Sequence, residues 1–413
     1  MKNVAAPVEP GGRIIILDIL RGIAILGILM VNMKLFVHPM SSMMVKPEAE
    51  SSVIGFIPDL LIRFFFEGKF YTLFAFLFGY GFWLFIQKQI VSGSIIPIFR
   101  RRLLILLLFG ALHVLLLWAG DILFFYALFG FFLIPFRKTS DRKLIVWGAI
   151  LILIPPLMVA FSGGMIALGS SMPEGKAAVD AALTESTAAI AELNQRAHLI
   201  YSMGSFKQII GIRFEEWLTM LPAMIFFYPA VLGLFFFGVV AARKRRAEIH
   251  RSQLAFFKRV LPWSLMVGLL GEGFYTYSYF YANPMAPDGL TILASFAHAI
   301  GAPAMTLSYI CIVVLLYLKG CFSGLCNALI PVGRMALTNY LMQSLICTSI
   351  FYGYGLGYYG KINTAQGLIL GVIVFIFQVF FSRFWLSRFR FGPMEWLWRS
   401  LTYLKPQAMV RTK

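Results

Sequence analysis

Apolar residues along this chain run in blocks too long for the core helices of a soluble protein. Ten such blocks cover approximately 14–37, 69–87, 103–119, 121–136, 144–164, 218–241, 260–281, 290–318, 333–354 and 364–386. Most approach the roughly 20 residues that cross a hydrocarbon layer of about 30 Å. In lipid only helices or a closed barrel satisfy every backbone polar group, and these blocks lack the period-two alternation of barrel strands. They predict an all-α fold, a polytopic membrane helix bundle of about ten transmembrane helices. The segment 53–66 (VIGFIPDLLIRFFF) is apolar but interrupted by Pro58, Asp59 and Arg63, and reads as an interfacial or re-entrant helix. The third and fourth spans are short and nearly continuous, with Gly120-Asp121 as a tight turn between them.

The polar stretches set the orientation. The triplet 100–102, RKTSDRK (137–143), RKRR (243–246) and the tail RFWLSRFRF alternate with loops poor in Lys and Arg. With ten spans every basic stretch falls on the side of the N-terminus, so both termini are predicted cytoplasmic. The chain then reads as one integral membrane domain over 1–413, with 387–413 as a basic cytoplasmic tail. The long stretch 165–216 is extracytoplasmic, and its Ala-rich composition with spaced charges predicts a helix outside the bilayer. The first block carries Asp18 and Arg21 and no small-residue cleavage site follows it, so it is expected to stay as the first span.

Composition agrees: 60% hydrophobic, 13% charged and 41 Phe, with a mean hydropathy of +0.81. The net charge of +18 lies in topology loops rather than in a basic-aromatic module, so no nucleic-acid partner is expected. Membrane lipids are the expected surroundings, and the apolar surfaces permit a homodimer without requiring one. Cys311, Cys321, Cys326 and Cys347 show no metal-ligand spacing and read as structural thiols.

Candidate chemistry begins in RRRLLILLLFGALHVLLLWAGD. Arg102 and His113 are eleven residues apart, so they return to within about 20° of one helix face with a rise of about 16 Å. With the arginines at a membrane surface, His113 lies near the midplane, where ionisable groups are costly and are functional candidates by default. The plainer reading is a neutral core histidine bonded to a neighbouring helix, and Arg100, Arg101 and Arg102 alone read as a topology signal. Gly110, one turn before His113, would leave room beside the imidazole. Asp121 either caps the fourth helix or orients His113; the second role needs the turn to fold back.

In the first span Asp18 and Arg21 are i,i+3 neighbours that either anchor the bundle as an ion pair or bind an anionic ligand at a cytoplasmic cavity. Asn32 shares the face of Arg21, and Gly22 and Gly27 allow close helix approach. Thr291, Ser295 and His298 form a polar stripe expected to point inward, and Glu272 is an intramembrane carboxylate that needs a partner. In GRMALTNYLMQS (333–344), Asn339 and Gln343 form a polar seam at i,i+4 that either packs helices or lines the cavity of Arg102.

The blocks LDILRGIAILGILMVN, RRRLLILLLFGALHVLLLWAGDILFFYALFG and GRMALTNYLMQSLI resemble the YeiB-like family of bacterial membrane proteins over nearly the whole chain. That family is grouped with a transmembrane acyltransferase superfamily that includes sugar O-acetyltransferases and the lysosomal heparan N-acetyltransferase. The resemblance implies a catalytic role for His113 and acyl-donor handling by Arg102. It further implies an acyl group, such as acetyl, passed from a cytoplasmic acyl-CoA to an extracytoplasmic or lipid-linked acceptor, a small molecule, glycan or lipid.

The residues accommodate that chemistry. Arg102, Arg101 and Arg21, with Asp18 as orienter, would hold the phosphates of acyl-CoA by charge-assisted bonds. His113 would act as base or as acyl carrier, with Asp121 beside it. Asn32, Asn339, Gln343, His298 and Glu272 are the candidates for substrate or oxyanion contacts. No clustered metal-ligand set is present, so no metal is expected. The same polar residues would equally serve a proton-coupled transporter or a lipid flippase, and a membrane assembly protein without turnover is a third reading.

Overall fold

The computed structural model describes residues 14–44, 53–87, 95–244 and 253–411. Arg245 and Arg246 of the expected basic loop lie outside them. In chain order the helices are α1 (Ile15–Val37), α2 (Val53–Leu61), α3 (Lys69–Gln87), α4 (Ile95–Leu116), α5 (Leu123–Leu133), α6 (Asp141–Gly169) and α7 (Pro173–Met203). They continue with α8 (Phe206–Arg243), α9 (Leu254–Ser278), α10 (Gly289–Leu318), α11 (Ser323–Arg334), α12 (Ala336–Phe351), α13 (Thr364–Arg388) and α14 (Pro393–Tyr403). The protein is an all-α polytopic bundle, as the apolar blocks predict.

All ten predicted spans are helical, but they are not equivalent. Seven segments among the described residues are long and apolar enough to cross a membrane: α1, α2–α3 from Phe56, α6, α8, α9, α10 and α13. α4 carries its arginine triplet within the helix at 100–102, and α5 and α12 have 11 and 16 residues. At 1.5 Å per residue those two reach only about 16 and 24 Å. The block 333–354 is also not one helix, because the chain breaks at Met335 between α11 and α12.

Burial separates an inner from an outer set. α1 touches α3, α11, α12 and α13, and α8 lies along α3 and α6. Gly22 and Gly333 let α1 and α11 meet backbone to backbone, since a Cβ on Gly333 would fall on the carbonyl of Asp18. α6, α9 and α13 present Trp147, Phe161, Trp263, Leu270, Ile373 and Phe380 outward, as lipid-facing helices do.

Three further segments take definite form. The stretch 165–216 is mostly α7, whose buried residues Ile190, Leu193, Ala197 and Tyr201 fall on one face. That face packs on α8 and on the short turn 40–44. Within the tail, Pro393–Tyr403 form α14, which lies on α4 and α12. The segment 53–66 joins α3 through a π-helical turn at Ile62–Phe66 and a break at Glu67-Gly68, where Gly68 has φ +85°.

Candidate functional site

The end of α4 builds the first polar centre. The carbonyl of His113 accepts from the backbone N–H of both Leu117 (2.9 Å) and Trp118 (2.8 Å), which closes the helix and turns the chain back. The turn folds far enough for Asp121 to reach His113. Asp121 therefore reaches both the start of α5 and the imidazole. Its Oδ2 accepts from Phe124 N at 2.6 Å, at the start of α5. Its Oδ1 stands 2.9 Å from His113 Nδ1, a close contact not aligned on the ring N–H. Gly110 does not make room for a ligand. A Cβ there would lie 2.3 Å from Phe124 N and 2.9 Å from Asp121 Oδ2, so the glycine admits the returning turn.

The opposite ring nitrogen meets α12. Ser344 Oγ is 2.8 Å from His113 Nε2. With its proton on Nδ1, facing a carboxylate that only accepts, the ring would leave Nε2 to accept from the serine hydroxyl. Tyr340, one turn earlier on α12, stands with its ring centroid 5.2 Å from that of His113. Its hydroxyl donates to Gly120 O at 3.2 Å and accepts from Ile122 N at 3.3 Å, pinning the turn that holds Asp121. His113, Asp121 and Ser344 are all buried.

A cavity of about 290 Å³ lies on the arginine side of this centre. Arg21, Arg102, Arg334 and Arg399 line it, with Glu395 and Tyr340. His113 and Ser344 do not line it; the cavity reaches Tyr340, whose ring lies beside the imidazole. Four guanidiniums against one lining carboxylate make the wall cationic. Arg21 is paired with Asp18 at 2.8 Å, and of the two Arg21 lines the cavity. Arg102 lies 3.6 Å over the Trp398 ring and 5.5 Å from the Phe85 ring, stabilised by cation–π attraction. Its carbonyl accepts from Trp398 Nε1 at 2.9 Å. Arg101 is not in the cavity and donates to Thr402 O at 3.0 Å.

Glu395 caps α12: it accepts from Leu337 N (2.7 Å), Thr338 N (3.1 Å) and Thr338 Oγ1 (2.6 Å). Burial pushes its carboxyl above the ordinary range, against the pull of these donors. The negative charge also suits a helix N-terminus.

Several candidates are placed elsewhere. Gln343 donates to Ile25 O (3.2 Å) and Gln378 Oε1 (2.9 Å), and Asn339 donates to Val332 O (3.2 Å) and Ser382 Oγ (3.0 Å). Both are committed to a seam between α1, α11, α12 and α13, which leaves them no free donor geometry toward His113. Asn32 is half-buried on α1 and does not line the cavity. Of the stripe on α10, Thr291 bonds Asp288 and Ser295 bonds the carbonyl of Thr291, so only His298 engages another helix.

His298 belongs to a second polar centre, at the α2–α3 break. Its Nδ1 is 3.1 Å from Glu272 Oε1, and Glu272 Oε2 pairs with Lys69 Nζ. Lys69 also donates to Arg63 O at 2.8 Å, and Arg63 NH1 lies 3.2 Å from Glu67 Oε2. Tyr275 stacks on His298 at 4.1 Å and donates to Glu67 Oε1 at 3.0 Å. Carbonyls freed by the break are taken up by side chains: Thr72 bonds Gly68 O and Thr306 bonds Lys69 O. A Cβ on Gly68 would lie 2.4 Å from His298 Cε1. Among the described residues, none of these contacts involves His113.

Ser344, Tyr340, Trp398 and Arg399 are the site residues that periodicity does not single out. Ser344 closes the GRMALTNYLMQS block, but nothing local distinguishes it from a packing serine.

Residues 241–405 match a family described as a protein of unknown function (DUF418). The chain is 35% identical to the protein YxaH of Bacillus subtilis (strain 168), covering 98% of each. It is 28% identical to YeiB of Escherichia coli (strain K12), covering 94% of this chain and 96% of that one. A 39.9 kDa protein from the amylase 3′ region of Bacillus acidopullulyticus is also 28% identical, over 96% of each. All three are described as uncharacterized. No solved structure matches the chain.

Proposed function

This chain belongs to the YeiB-like family of multi-pass membrane proteins, and we propose that it moves an acyl group from acyl-CoA to a hydroxyl or amine acceptor in a bacterial inner membrane. The observation that carries this reading is the line Asp121–His113–Ser344, 2.9 and 2.8 Å long, set beside an arginine-lined cavity.

The donor's phosphates would sit among Arg102, Arg334 and Arg399, where guanidinium forks bind phosphate oxygens by charge-assisted bonds. The pantetheine arm would run through the apolar part of the cavity toward Tyr340. To bring the thioester to His113 Nε2, the Tyr340 ring must move and release its bonds to the 120–122 turn. Asp121 holds the proton on Nδ1, so Nε2 is the base. The Ser344 hydroxyl marks the position of the acceptor's oxygen or nitrogen. That atom gives its proton to Nε2 and bonds the acyl carbon. The C–S bond breaks, and the CoA thiolate takes the proton back from Nε2.

A specific observation favours a second reading as well. A broken membrane helix carrying Lys69 against Glu272 and His298 is the kind of centre proton-coupled transporters use. One experiment separates the two. Purified full-length protein is incubated with acetyl-CoA labelled in the acetyl group. The enzymatic reading expects thermal stabilisation by acetyl-CoA and label transfer that His113→Ala abolishes without loss of folding. It is overturned if CoA compounds give no stabilisation and no label moves. Acetyl-CoA-independent proton flux in proteoliposomes would then favour the transporter.

A further inference from the structure

We infer that Arg213 forms an anion-binding site at the end of α4 opposite Arg102, which takes a carboxylate or phosphate group. We assign that site to the anionic head of the acceptor, and only this assignment rests on the acyl-transfer reading.

Arg213 lies on α8 with no exposed surface. Its NH1 donates to Leu115 O at 2.7 Å, two residues beyond His113. Its Nε and NH2 are buried with no hydrogen-bond partner. Among the described residues no carboxylate pairs with it. The carboxylate nearest in sequence on its own helix face, Glu216 at i+3, is spent elsewhere. Glu216 Oε1 accepts from Ser41 N (3.1 Å) and Ser41 Oγ (2.9 Å), and its Oε2 accepts from Tyr201 OH (2.6 Å).

A charge buried in this way is costly unless something compensates it. A buried lysine or carboxylate could discharge by shifting its proton, but a guanidinium does not. Nε and one terminal nitrogen form the fork that meets two oxygens of a carboxylate or phosphate. The neighbouring groups have the same bias. Trp217, one turn along α8, has a buried indole N–H without a partner, and so does the Tyr359 hydroxyl. Tyr359 packs on Tyr352, whose ring is 5.8 Å from the Arg213 guanidinium. An indole N–H only donates, and a phenol donates to an anion. The unfilled capacity here is therefore capacity to bind negative charge. α7 lies over this region through Tyr201, which stacks on Tyr352 at 4.7 Å.

The test uses purified full-length protein and thermal unfolding. One arm adds inorganic phosphate in neutral detergent against chloride at equal ionic strength. The other compares nanodiscs of phosphatidylglycerol with nanodiscs of phosphatidylcholine. At least one anion should raise the wild-type midpoint, and Arg213→Gln should weaken that response roughly tenfold to a hundredfold in apparent affinity. A response to phosphate alone identifies a soluble anionic ligand; a response to phosphatidylglycerol alone identifies a lipid headgroup. Should Arg213→Gln not fold, Arg213→Lys keeps the charge without the fork and should fold with weaker anion response. Arg213→Met without anion should unfold no earlier than wild type, because it removes an uncompensated charge. The site is refuted if neither anion shifts the wild type, or if the Arg213 variants respond as the wild type does. Loss of acetyl transfer chemistry with the anion response intact would remove only the acceptor assignment.

Discussion

The His113 centre and the Lys69–Glu272–His298 centre hold comparable chemical groups in opposite ways. At the α2–α3 break, cations and carboxylates neutralise one another: Lys69 pairs with Glu272, and Arg63 with Glu67. At the end of α4 one imidazole is strung between a carboxylate and a neutral hydroxyl, and the nearby cations line a cavity. The first arrangement sets opposite charges against each other, while in the second the guanidiniums form one wall of a cavity. Intramembrane charge alone does not mark a reaction centre; the disposition of its partners does.

The strongest way to sharpen this contrast is to disable the histidine centre. His113→Ala is expected to cut acyl transfer by about 10²–10⁴, measured with labelled acetyl-CoA. Asp121→Asn should approach the same loss while keeping the α5 start, since an amide oxygen still accepts from Phe124. Full activity in Asp121→Asn would break the proposed tautomer.

The opposite centre should respond in stability. Glu272→Ala strands Lys69 and is expected to cost about 3–5 kcal/mol, read as a lower unfolding midpoint in detergent. A negligible loss would mean that the ammonium is solvated there and the centre is open. Arg102→Ala comes next: about tenfold weaker acetyl-CoA binding, measured by calorimetry, with the base intact.

The smallest effect lies outside both centres. Asp288 caps α10 through Thr291 N (2.8 Å) and Thr291 Oγ1 (2.7 Å). These donors hold its carboxyl below the usual carboxylate range. The charged form is therefore the one that folding favours. Its contribution is present above the unfolded pKa of about 4 and is lost as pH falls through the lower folded value. Asp288→Ala should cost about 0.5–1 kcal/mol at neutral pH, reduced by its exposure to solvent. The difference between wild type and variant should shrink in acid.

Much of the bundle was legible in one dimension because lipid imposes a strong rule. A long apolar block must satisfy its own backbone, so all ten blocks are helical. The eleven-residue spacing of Arg102 and His113 and the i,i+3 pair of Asp18 and Arg21 are likewise properties of a single helix. Three blocks nevertheless yield helices too short or too polar to count as spans, because helix length depends on where neighbours interrupt the chain. Met335 is such an interruption, and the block pattern does not announce it.

What no periodicity contained is which helices meet. Ser344 is 231 positions from His113, and Arg399 reaches the same cavity wall as Arg21 from the far end of the chain. Asn339 and Gln343 carry the same kind of side chain as a catalytic donor, yet their bonds go to α1, α11 and α13. Local sequence determined the helices and the faces on which polar groups lie. Only packing decided which of those faces oppose each other, because hydrogen bonds and ion pairs require approach to about 3 Å between residues that the chain itself keeps hundreds of positions apart.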